Sequence, residues 1–96
     1  MLHIIRHSGF NSNALTLCLD TALAGDAILL MDDGCYNLTH PSLLAKCGKQ
    51  TELKVYFVDL HAKARAIHTN QAAVSAIDMS AVITLIFQHE NSITWS

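Results

Sequence analysis

The sequence predicts a three-layer α/β domain built on a mainly parallel sheet. Short apolar or β-branched runs bounded by Gly, Asp and polar residues read as buried strands, and their near-continuous apolarity suits a sheet covered on both faces. These runs alternate with stretches of helical period, which implies right-handed crossovers. At 96 residues the chain is long enough for one core, so residues 1–96 are read as a single domain.

The first strand is expected at Leu2 to Arg6, the second at Ala27 to Met31 and the third at Leu53 to Val58. Between the first two, Asn13 to Ala24 carries Leu15, Cys18, Leu19, Ala22 and Leu23 on one side, and Gly25 stops the helix. Pro41 in a first turn opens a short second helix through Lys46, with Cys47 and Gly48 at its end. Asp59 is expected to cap a third helix through about Ile67, followed by a polar passage, His68 to Gln71, and a fourth strand around Ala73 to Ile77. Asp78 then caps a last helix whose apolar stripe is Met79, Val82, Ile83, Ile86 and Phe87. Ser92 to Trp95 adds an edge strand.

Composition narrows the function. The chain is 51% hydrophobic and 15% charged, against about 25% charged in an average soluble protein. Some apolar surface therefore meets a partner subunit. With net charge −2 and six scattered Lys and Arg residues, nothing tracks a phosphate backbone, and no direct nucleic-acid contact is expected. The start lacks the apolar core of a signal peptide, and Ser75, Asp78, Ser80 and Thr84 interrupt the apolar C-terminal region before a membrane span forms. A cytoplasmic protein without membrane contact is the expectation. Cys18, Cys35 and Cys47 contain no CxxC pair, so they are read as free thiols in a reducing compartment.

Several features in order along the chain are those of one family: Met1-Leu2-His3 with Ser8 after the strand, the Gly25 turn into a strand ending Asp33-Gly34, Leu53-Lys54-Val55-Tyr56, Lys63-Ala64-Arg65, Ile77-Asp78 and Trp95. On these the chain resembles the TusB/DsrH family of small sulfur-relay subunits. It departs at Ala66, where the family shows glycine after Ala-Arg, which bears on the turn after the third helix. The resemblance implies a flavodoxin-like subunit that joins related DsrE/TusD-like and DsrF/TusC-like subunits in a heterohexamer with two copies of each. It also implies persulfide relay through sulfur-carrier proteins, toward 2-thiouridine at the tRNA wobble position in one branch and within dissimilatory sulfur oxidation in another. The main sulfur-accepting cysteine would belong to a partner subunit. Many members keep a cysteine in the first helix, and Cys18 matches that position; Cys35 sits where an aliphatic residue is common.

Sulfane sulfur transfer needs a reachable thiol whose pKa is not raised. Cys35, at the carboxyl end of the second strand, has the favourable location, but Asp32 and Asp33 disfavour its thiolate and no Lys or Arg is near in sequence. Cys18 lies roughly 70° from the centre of its helix stripe, near the edge of the buried face, where a partner can open or close it. It is the catalytic candidate, set against a plain core cysteine. Lys46 and Lys49 would favour a thiolate at Cys47.

Other constellations are weaker. His3 and His7 are roughly 13 Å apart on a strand, His61 and His68 two helical turns apart, and Cys35 with His40 supplies two ligands where about four are needed. No metal site is expected, and the histidines are read as surface or capping residues. Ser8 to Asn13 occupies the place of a phosphate loop, but Phe10 suits it poorly, and an N-cap by Ser12 or Asn13 is the expected role; no flavin, nucleotide or other cofactor is expected. Trp95 is expected to dock against the domain or, preferentially, a neighbouring subunit. Three hypotheses follow: a non-catalytic subunit of a sulfur relay, a persulfide-carrying subunit through Cys18 in sulfur oxidation, and a stand-alone flavodoxin-like ligand-binding module.

Overall fold

A computed structural model of the chain describes residues 1–10, 12–23, 25–49, 53–69 and 74–95. Five strands, β1 (Leu2–Ile5), β2 (Ala27–Leu30), β3 (Lys54–Val58), β4 (Val74–Ile77) and β5 (Ser92–Trp95), form one sheet in the order β4-β3-β2-β1-β5. Every pairing is parallel. Helices α1 (Ala14–Thr21), α2 (Pro41–Lys49), α3 (Asp59–Ala64) and α4 (Met79–Gln88) join them, with a 3-10 helix at Asp32–Thr39.

Strand order dictates the layers. From β1 to β4 the chain steps one way across the sheet, so right-handed crossovers place α1, α2 and α3 on one face. From β4 it returns past every strand to β5, which places α4 on the other face. The two cores agree. Ile5, Ile28, Leu30, Val55 and Phe57 pack against Leu15, Cys18, Leu19, Leu43 and Ala62 on the first face. Leu2, Ala27, Leu29 and Val58 pack against Val82 and Leu85 on the second. The side chains of β2 are buried on both sides, the signature of a central parallel strand.

Local chemistry sets the ends of the elements. The Asp78 carboxylate accepts the Ala81 N–H at 2.9 Å and caps α4 as expected. Gly25 has φ +87° in the turn that leads into β2, a left-handed conformation suited to glycine. Asp59 is not a cap: Val58 takes the N-cap geometry, and Asp59 stands in the first turn paired with Lys63 at 2.9 Å. Its charge there complements the helix dipole.

Helix α3 ends at Ala64 rather than Ile67 because Ala66 turns left-handed, φ 55°. The Ala66 N–H reaches Lys63 O and the Ile67 N–H reaches Ala62 O, at 3.0 and 2.9 Å, a Schellman closure. Helix α2 continues three residues beyond Lys46 and includes Cys47 and Gly48. The expected helix end at Ala24, the polar stretch 70–71 and the strand start at Ala73 lie outside the described residues.

The stripe expected to anchor α4 requires correction. Val82 and Leu85 are buried, whereas Met79, Ile83, Ile86 and Phe87 are exposed, Phe87 at 84%. The helix is apolar almost all round, so its period does not select which face meets the sheet.

Candidate functional site

All three thiols sit against the α1/α2/α3 core, and none is an open nucleophile. Cys18 is fully buried, not at the edge of the helix face, because α2 packs over α1 and closes that side. Burial and then the Asp26 charge push its pKa up to about 12, against a smaller opposing effect of Lys46. Cys35 is also fully buried: the segment after β2 is a 3-10 helix that turns the thiol inward, toward the carbonyls of Leu30 and Val58 at 3.7 and 3.9 Å. Burial raises it to about 11, with Arg65 opposing and Asp32 and Asp33 assisting. Cys47 is half-buried within α2, and burial raises it despite the lysines beside it in sequence.

The acids beside Cys35 have cationic partners that sequence proximity does not reveal. Arg6 Nε donates to Asp32 at 2.8 Å, and Arg65 Nε donates to Asp33 at 2.8 Å. The hydrogen bond from Arg6 is the largest influence holding the Asp32 carboxyl below the usual range. The Asp32 N–H donates to His61 Nδ1 at 3.0 Å, so His61 fastens α3 to the carboxyl end of β2. This is a mutually neutralised layer in which both carboxylates are engaged.

A second polar chain runs through the amino-terminal end of the sheet. His3 is fully buried. The Trp95 indole N–H donates to its Nδ1 at 3.1 Å, so the ring proton resides on Nε2, which donates to Asp26 at 2.9 Å. Asp26 also receives the N-terminal ammonium at 3.0 Å and the Leu23 N–H at 3.1 Å. Burial alone would raise its carboxyl, but these hydrogen bonds and the ammonium charge outweigh it and hold the pKa at about 2. His3 is therefore not a surface or capping residue, and Trp95 docks within its own chain. The signal was in the sequence: a polar residue alternating with Ile5 in a central strand faces the core and needs a partner.

Asn37, which sequence reasoning missed, is buried and joins the 3-10 helix to the loop after β1. It accepts the Gly9 N–H at 2.6 Å and donates to His7 O at 3.0 Å. The Phe10 N–H is taken by Ser8 Oγ; Asn13 holds the N-cap position of α1 without a side-chain cap bond, and Ser12, one residue before it, accepts the Ala14 N–H. Three amides of this region, those of Gly9, Phe10 and Ala14, are thus taken by side chains of the same chain. His40 Nδ1 accepts the Ser42 N–H, and its ring lies tilted against Phe10 with centroids 4.7 Å apart. Among the described residues no group of three His, Cys, Asp or Glu side chains is placed to hold a metal ion, and no helix is long and apolar enough to cross a membrane.

The family model for DsrH like protein matches residues 7–92. The chain belongs to the DsrH-like family. Two solved structures share the fold. One is the solution structure of protein Tm0979 from Thermotoga maritima, at TM-score 0.66 and 23% identity over 95% of this chain and 97% of that one. The other is the crystal structure of the ychN protein from E. coli, at TM-score 0.68 and 15% identity over 98% and 97%. No curated protein matches the chain. As a member of the TusB/DsrH group, this DsrH-like chain is a sulfur-relay subunit, of a family whose members generally work within multi-subunit complexes.

Proposed function

We propose that this chain is an accessory, single-domain subunit of a cytoplasmic sulfur-relay complex that serves 2-thiouridine formation at the tRNA wobble position. Its partners are DsrE/TusD-like and DsrF/TusC-like subunits in a heterohexamer, and a partner subunit carries the main sulfur-accepting cysteine. The observation that carries this reading is the contrast between the two faces. On one, Cys18 and Cys35 are enclosed with raised pKa values. On the other, Met79, Ile83, Ile86 and Phe87 leave an apolar helix face open to a neighbouring subunit.

Co-expression with the neighbouring chains, purification, and measurement of mass and stoichiometry test the assembly. A complex with two copies of each subunit is expected, and a chain that stays monomeric in the presence of those neighbours would overturn the reading. The Cys18→Ser variant should retain full relay activity in the complex. A one-sulfur mass gain on this chain after exposure to a persulfide donor, lost in Cys18→Ser, would instead give it the sulfur-carrying step. That step requires α1 to move from α2 before a donor reaches the thiol.

A further inference from the structure

The outer surfaces of α1 and α2 border an open groove of about 270 Å³, lined by Thr16, Leu19 and Asp20 from one helix and Ser42, Lys46 and Lys49 from the other. Its place in the fold follows from the topology. Both helices return from the carboxyl to the amino end of the sheet, so Thr16 and Ser42 lie toward one end and Asp20, Lys46 and Lys49 toward the other. One end is supplied with hydroxyls and the other with charges of both signs.

The charges are unusually placed. Arg6, Lys63 and Arg65 each pair with an aspartate, whereas Lys46, Lys49 and Asp20 form no ion pair among the described residues. The two lysines occupy the last turn of α2, where the dipole favours cations. Asp20 occupies the last turn of α1, where the dipole disfavours an anion, and α1 has no basic residue there to offset it. An acid at the wrong helix end thus faces two cations across a groove without touching them. A ligand carrying both signs of charge would satisfy both walls.

We infer that this groove binds a small zwitterion of net negative charge, of the acidic amino-acid and γ-glutamyl peptide class. Asp20 receives the ammonium, Lys46 and Lys49 receive carboxylates, and Thr16 and Ser42 hydrogen-bond the ligand backbone. The volume lies just below the range of roughly 300–1,000 Å³ common for ligand pockets, which fits an amino acid or short peptide. The inference is independent of the relay reading, because the groove uses none of the thiols and lies on the face opposite α4.

The full chain, with whatever partner chains co-purify, is titrated calorimetrically with S-methylglutathione, whose blocked sulfur cannot exchange with cysteine. Glutamate distinguishes a free amino acid from a γ-glutamyl peptide; inorganic phosphate and lysine are controls. Saturable binding of S-methylglutathione or glutamate is expected, with phosphate and lysine at least several-fold weaker. Bound ligand should protect Lys46 and Lys49, but not Lys54, from acetylation read by mass spectrometry. Exposed charge pairs contribute about 0.2–1 kcal/mol each, so Lys46→Gln should weaken binding roughly threefold and the Lys46→Gln/Lys49→Gln pair roughly tenfold. Asp20→Asn should weaken the zwitterion while strengthening phosphate. Absence of saturable binding, phosphate binding as tightly as the zwitterions, tighter zwitterion binding in Asp20→Asn, or equal protection of all lysines would overturn the inference. The protection assay uses the unaltered chain and does not depend on how any variant folds.

Discussion

A side-chain carbon at Gly34 would fall within the contact radius of the Ile5 carbonyl oxygen, which is backbone and cannot swing aside. Gly34 lets the 3-10 helix pass against the end of β1, and the next residue, Cys35, turns inward toward the Leu30 and Val58 carbonyls, so a side chain at Gly34 would shift the segment that carries the thiol. Gly34→Ala should lower stability by about 1–3 kcal/mol in urea denaturation and raise the reactivity of Cys35 toward a thiol reagent. Ala66 presents the opposite case. It holds a left-handed conformation that costs a residue with a Cβ about 1–2 kcal/mol, part of which glycine returns as chain entropy. Ala66→Gly should therefore raise stability by ~0.5–1 kcal/mol, read as a higher urea midpoint. Asp26 gives a pH signature. Its folded pKa, about 2, is below the ordinary carboxylate value, so its contribution is complete above about pH 4 and is lost as pH falls through about 2. Asp26→Asn should cost about 2 kcal/mol at neutral pH, and its deficit against the unaltered chain should shrink between about pH 4 and pH 2 in unfolding titrations.

At the scale of elements, α4 separates two kinds of apolar contact. Leu85→Ala removes a side chain buried on the sheet and should cost about 2–4 kcal/mol in chain stability. Ile83→Ser with Phe87→Ser alters only exposed positions, so it should leave the melting temperature of the isolated chain nearly unchanged while abolishing co-purification of partner chains. The same helix marks the boundary of what its sequence discloses. Where a strand is apolar and short, or where Asp78 precedes a helical period, the local pattern determines the element, and β1, β2, β3 and the start of α4 follow from it. Which side of α4 is inward depends on the sheet beneath, and both sides are apolar. The 3-10 helix is a further case, because Asp-Asp-Gly-Cys reads locally as a loop. Its geometry comes from Asn37 reaching His7 and Gly9, and from Arg6 and Arg65 reaching the two acids, partners 26 to 32 residues away. The full enclosure of Cys18 and Cys35 is likewise a property of packed helices, not of the residues beside them in sequence.

For the molecule as a whole, chain order and sheet order part company at β1, which pairs with the last strand as well as the second. β1 is flanked by β2, which follows it closely, and by β5, which joins it last, in register from Leu2 with Ser92 to Ile5 with Trp95. The Trp95 to His3 hydrogen bond spans 92 residues. During synthesis the first strand must therefore emerge from the ribosome with one edge open and one imidazole nitrogen unanswered, and wait for nearly the entire polypeptide before its second neighbour arrives. Closure of so long a loop is slow compared with helix formation. Because Trp95 is the single tryptophan, its fluorescence should recover after the far-ultraviolet helical signal when the denatured chain is refolded.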